Sequence, residues 1–86
     1  TRHGAEVVVF EWLDFLVEKA GFENTGNALT YYENVEWLSP DAHEALRGYM
    51  HGFAEIDRFE EEEPDELDGN DHVLSLVYIA RLASMT

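Results

Sequence analysis

The apolar positions of residues 5–20, AEVVVFEWLDFLVEKA, recur with a helical period and cover most of the helix surface. At about 100° per residue, Glu11, Asp14 and Glu18 fall on one narrow side. Val8, Val9, Phe10, Trp12, Leu13, Phe15, Leu16, Val17 and Ala20 take the remaining arc, about 220° wide, whereas an ordinary surface helix buries a stripe little over 100° wide. A helix this apolar has to be covered on two or three sides, so it is expected to be the central helix against which the others pack. Gly21 stands where a C-cap glycine belongs, and Lys19 suits the negative end of the helix dipole.

Further along, the pattern predicts three more helices. Gly21 to Asn24 reads as a connection, and a second helix is expected from an N-cap at Asn24 or Thr25 to about Asn34. Gly26 argues against it locally, since glycine disfavours a helix interior. Val35 to Leu38 form a short joint with Trp37 as its anchor. Ser39-Pro40-Asp41 is an N-cap, a first-turn proline and an acid at the positive end of the dipole. It opens a third helix with the stripe Ala42, Ala45, Leu46, Tyr49, Met50, Phe53, which Gly52 is expected to end. Residues 58–70, RFEEEEPDELDGN, cannot form a buried element and read as a mobile acidic loop. Asn70 or Asp71 then caps a last helix in which Val73, Leu74, Leu76, Val77, Tyr78, Ile79 and Leu82 run almost all the way round. The expected fold is all-α, a compact bundle of about four helices in one domain spanning residues 1–86. The first and last helices are both apolar nearly all round. Either they pack on each other, or apolar surface is left for a partner.

Charge changes the functional picture. Nineteen Asp and Glu face five Lys and Arg, for a net charge of −14. Such a chain has no basic patch to neutralise phosphates, which excludes nucleic acid as a partner and an anionic membrane surface with it. The apolar runs are too short for membrane insertion, and the absence of cysteine excludes disulfides and thiolate metal sites. Aromatics at 13% provide a core, so the acid is not that of a disordered tail. Three roles fit it: solvation in high salt, docking of a basic protein, or mimicry of DNA. Acids spread over every segment, with a single lysine, favour a halophile's cytoplasmic protein. Thr1 in place of an initiating Met makes a fragment of a longer protein the expectation. Salt separates the roles, because screening helps a halophilic module fold and collapses the binding of a mimic.

Three blocks stand in order: WLDFLVEKAG (Trp12 to Gly21), YYENVEWLSP (Tyr31 to Pro40) and DHVLSLVYIARL (Asp71 to Leu82). Together they resemble the accessory domain of the FlaD/FlaE proteins of the archaellum, the archaeal flagellum, in a haloarchaeal version. The acidic run is not part of that pattern. The resemblance implies a non-enzymatic scaffold without cofactor, cytoplasmic, at the base of the archaellum motor. Its implied partners are the motor ATPase and its regulator, and a chemotaxis adaptor with the response regulator, so that chemotaxis signalling is linked to rotation.

Candidate contacts follow from residue chemistry. Tyr31 and Tyr32 are adjacent, so one faces the core and the other is available as an interface anchor. His72 beside Asp71 is a buried hydrogen-bonded residue, a partner contact or a pH switch. Arg47, Arg58 and Arg81 are rare cations that serve internal ion pairs or an acidic partner, Arg81 being the best placed for the latter. Glu60, Glu61, Glu62 and Glu63 are an acidic rim for a basic partner. His43 and His51 lie about 12 Å apart along their helix, too far for one metal, and are expected to be solvated. The acids of residues 65–71 are out of phase for a calcium loop, and no nucleophile or phosphate-loop motif is present.

Overall fold

A single glycine sets the architecture. In the computed structural model, which describes residues 2–56 and 65–85, Gly21 takes φ 82° and ψ 171° inside an otherwise helical run. This is a region open to glycine and closed to residues with a Cβ. It divides α1 (Arg2–Asn34) into two arms, residues 2–20 and 22–34. Trp12 and Tyr32 would stand about 30 Å apart along an unbroken helix. Their ring centroids are 6.4 Å apart, so the arms fold back on one another as a hairpin.

Three helical elements result, rather than about four: α1, α2 (Pro40–Ile56) and α3 (Gly69–Ser84). The physical reason is that one glycine completes the reversal, so no connecting loop separates the first two predicted helices. The helix resumes at residue 22, and neither Asn24 nor Thr25 is an N-cap. Thr25 lies fully buried inside the second arm, and its hydroxyl has no hydrogen-bond partner among the described residues. A helical threonine ordinarily donates to the carbonyl four residues back, as Thr30 does to Gly26 at 3.2 Å. For Thr25 that carbonyl belongs to Gly21, and Thr25 makes no such bond. The break also frees the carbonyl of Lys19, which accepts instead from the backbone N–H of Asp65 at 3.0 Å.

The first arm is the hub anticipated from its apolar width. Val8, Val9, Trp12, Leu13, Leu16, Val17 and Ala20 are buried, while Glu11, Asp14 and Glu18 are exposed. Leu29 and Tyr32 of the second arm, Leu38 of the joint, and Leu46 and Met50 of α2 complete the core. Among the described residues, α2 and α3 each pack on α1 and not on each other.

The second arm ends in a Schellman motif. Trp37 N–H donates to the Tyr32 carbonyl at 2.8 Å and Glu36 N–H to that of Glu33 at 2.9 Å, with Glu36 at φ 68°. Glycine usually takes that left-handed position; here the joint imposes it on a glutamate, at a cost of about 1 kcal/mol. The turn delivers Trp37 onto Tyr32, rings stacked at 5.2 Å.

Ser39 caps α2 as its sequence signals require, its hydroxyl accepting from Ala42 N–H at 3.0 Å. Gly52 does not end the helix, which runs on to Ile56, and Ala45 at the edge of the stripe stays exposed. The cap of α3 is Asp68, not Asn70 or Asp71. Asp68 and Asp71 form a reciprocal capping box, Asp71 N–H to the Asp68 carboxylate at 3.0 Å and Asp68 N–H to that of Asp71 at 2.9 Å. Most of the acidic loop, with Glu60, Glu61, Glu62 and Glu63, lies outside the described residues.

The orphaned Thr25 hydroxyl gives a direct test. Thr25→Val keeps the shape and removes an unsatisfied buried polar group, so it should stabilise the fold by about 1 kcal/mol. Urea denaturation measures this; a destabilised variant would show that the hydroxyl has a partner.

Candidate protein-interaction site

The seam between α1 and α3 is built on a buried hydrogen bond. Trp12 Nε1–H donates to Ser75 Oγ at 2.9 Å, and both side chains are fully buried. The indole stacks with Tyr32, at 6.4 Å, and with Tyr78, at 6.2 Å. Trp37 also stacks on Tyr32, at 5.2 Å, so four rings in pairwise contact link both arms of α1, the joint and α3.

One turn before Ser75, Asp71 accepts from Lys19 Nζ at 2.6 Å while completing its capping box. Its hydrogen bond from Lys19 and the Asp68 backbone hold the Asp71 carboxyl below the usual range, against the opposing effect of burial. The same hydrogen bond raises Lys19.

This seam brings three of the predicted contact residues together. Tyr32 OH and His72 Nδ1 are 2.7 Å apart, and the Tyr31 ring lies 5.8 Å from both the Tyr32 ring and the His72 ring. Tyr32 is fully buried and Tyr31 is half exposed, the division expected of an adjacent pair. Burial pushes the Tyr32 phenol up. Tyr31 and His72 line an open groove with Asn24, Asn27, Leu67 and Glu66. Its aromatic wall, paired carboxamides and carboxylate suit a polar or cationic side chain, and Tyr31 is its half-exposed ring.

Arg81 is elsewhere. It stands nine residues beyond His72, about 13.5 Å along α3. It is exposed, with its guanidinium 6.0 Å from the Tyr78 ring centroid. Glu60 to Glu63 lie outside the described residues.

A second polar network was not anticipated. His43 is largely buried rather than solvated; His51 is exposed. Arg47 Nε–H donates to His43 Nε2 at 3.0 Å, and Arg47 has only donors, so this imidazole nitrogen accepts. That leaves Nδ1–H to donate to Glu33 at 2.6 Å. Arg47 also donates to the Gly26 carbonyl and to Thr30, each at 3.0 Å. A Cβ on Gly26 would stand 3.0 Å from the guanidinium, which accounts for a glycine inside a helix. That glycine and the i,i+4 spacing of His43 and Arg47 were the available signals.

The sequence profile of the family described as Archaeal flagella protein matches residues 1–84. The chain is 33% identical over 78 residues to putative flagella-related protein E of Methanococcus voltae, covering 91% of this chain and 58% of that protein. It is 32% identical over 78 residues to the protein of the same description from Methanocaldococcus jannaschii, covering 91% of this chain and 56% of that protein. It is 34% identical over 79 residues to putative flagella-related protein D of the latter organism, covering 88% of this chain and 22% of that protein. The chain thus spans a little over half of the E proteins and about a fifth of the D protein. No solved structure matches.

The Lys19–Asp71 pair predicts a pH signature. Asp71 lies below its ordinary 3.8, so its share of stability is complete above that pH and is lost as pH falls through the folded value. Lys19 lies above its ordinary 10.5, so its share is complete below that pH and is lost as pH rises through the folded value. The stability difference between the wild type and Lys19→Gln should be flat between these limits and shrink at both ends. Denaturation of both proteins across pH measures it, and an unchanged difference through the acid limb would contradict the pairing.

Proposed function

Because the chain belongs to the archaeal flagella protein family, we propose that it is a non-enzymatic interaction domain of the archaellum switch complex. It works by docking rather than turnover, in the cytoplasm at the base of the motor. Its partners are a chemotaxis adaptor with the response regulator, and the motor ATPase with its regulator, so that it carries a chemotactic signal to the rotating machine. The names of its relatives support the archaellum context. The observation that carries the docking role is the groove beside the seam, where Tyr31 stands exposed against His72.

The contact is expected to lean on apolar and aromatic anchors. Charge complementarity from a −14 chain sets approach and selectivity, and molar salt mutes it. No helix among the described residues is long and apolar enough to cross a membrane.

Affinity capture from a motile halophilic archaeon's lysate in molar KCl tests the proposal. The chain should recover the adaptor or the motor ATPase, and Tyr31→Ala should lower recovery about tenfold or more, as for an interface anchor. Recovery of neither by a folded bait, or recovery indifferent to Tyr31→Ala, would contradict it.

A further inference from the structure

From His72 to Thr86 the chain has no Asp or Glu, although 19 of its 86 residues are acidic. This stretch is α3. The helix turns Ser75, Tyr78 and Leu82 toward α1 and touches no other helix among the described residues. Its outward side carries Val73, Leu76, Val77 and Ala80, at i, i+3, i+4 and i+7. Val73 is 62% exposed and Val77 51%, the two most open large apolar side chains of the helix.

We propose that the chain pairs with a second copy of itself by antiparallel packing of α3 on α3, centred between Leu76 and Val77. The stripe is self-complementary about that point. Val73 of one copy meets Ala80 of the other, and Leu76 meets Val77, as a two-fold contact requires. Charge selects the same occupant. The only charge on the outward side is Arg81, which gives a basic partner nothing to pair with. In the antiparallel arrangement Arg81 reaches the helix start of the second copy, where Asp68 is exposed. The acid-free stretch lets two chains of charge −14 meet without carboxylates opposed at the contact.

The area is small. Four side chains fall well below the roughly 1,200 Å² of a stable interface, so the pair is weak. Long-range repulsion weakens it further at low salt, and screening restores it. Pairing therefore strengthens as KCl rises, the opposite of a contact driven by opposite charges.

Sedimentation velocity of the 86-residue chain at increasing KCl tests this. A monomer–dimer equilibrium that shifts toward dimer with salt is expected. Val77→Glu and Val73→Glu should each abolish the dimer with helicity unchanged by circular dichroism, both positions being exposed. Tyr31→Ala should leave it intact, which separates this contact from partner capture. The chain has no cysteine, so single-cysteine variants report the register. A short bis-maleimide should link Val77→Cys pairs and not Ser84→Cys pairs, which stand about 22 Å apart along the antiparallel axes. A monomer at millimolar concentration in molar KCl would overturn the proposal and leave the face to a different protein. So would a dimer undiminished in Val77→Glu, or Ser84→Cys linking as readily as Val77→Cys.

Discussion

A tryptophan N–H with no access to water must find an acceptor, and in this chain the acceptor is Ser75. An unpaired indole N–H at Trp12 would cost about 1–3 kcal/mol. A slip of α3 by one residue puts Leu74 or Leu76 toward the indole, and neither can accept. The bond thus fixes the rotation of α3, and Asp71 on Lys19 fixes the same face one turn earlier. Hydrophobic burial brings the helices together, but it is indifferent to register among so many leucines and valines. The polar pairs choose one arrangement, and the four rings in pairwise contact pack around that choice.

That choice also decides what is left outside. With Ser75 and Asp71 inward, His72 is carried to the edge of the seam, where Tyr32 takes its Nδ1 and Tyr31 stands beside it. The same rotation turns Val73 and Val77 out. A groove on one side of α3 and an apolar stripe on the other are therefore consequences of one buried hydrogen bond. Trp12 belongs to the first block of the family resemblance and Ser75 to the third, 63 residues apart in the chain.

What was legible in the sequence was local. The apolar width of residues 5–20 announced a central helix, and Ser39-Pro40-Asp41 marked the start of α2. The surplus of apolar helix face was visible as well: the first and last helices pack together, and α3 keeps an exposed apolar stripe. The rest depended on distant partners. Asp68, Asn70 and Asp71 can all cap a helix, and what favours Asp68 is that Asp71 is tied to Lys19, 52 residues away. His43 looks solvated until Glu33 and the second arm close over it. The sequence shows the reversal at Gly21 only as a four-residue connection, because the positive φ that lets one glycine complete it is a property of the packed hairpin.

The pair at the centre of this account can be isolated by a double-mutant cycle. Trp12→Phe, Ser75→Ala and the double variant would be compared with the wild type by urea denaturation in constant KCl. The account predicts that the double variant is less destabilised than the sum of the two single ones, by a coupling of about 1–2 kcal/mol, because each single change strands the other's polar group. Additive effects would contradict it and leave shape alone to set the register of α3.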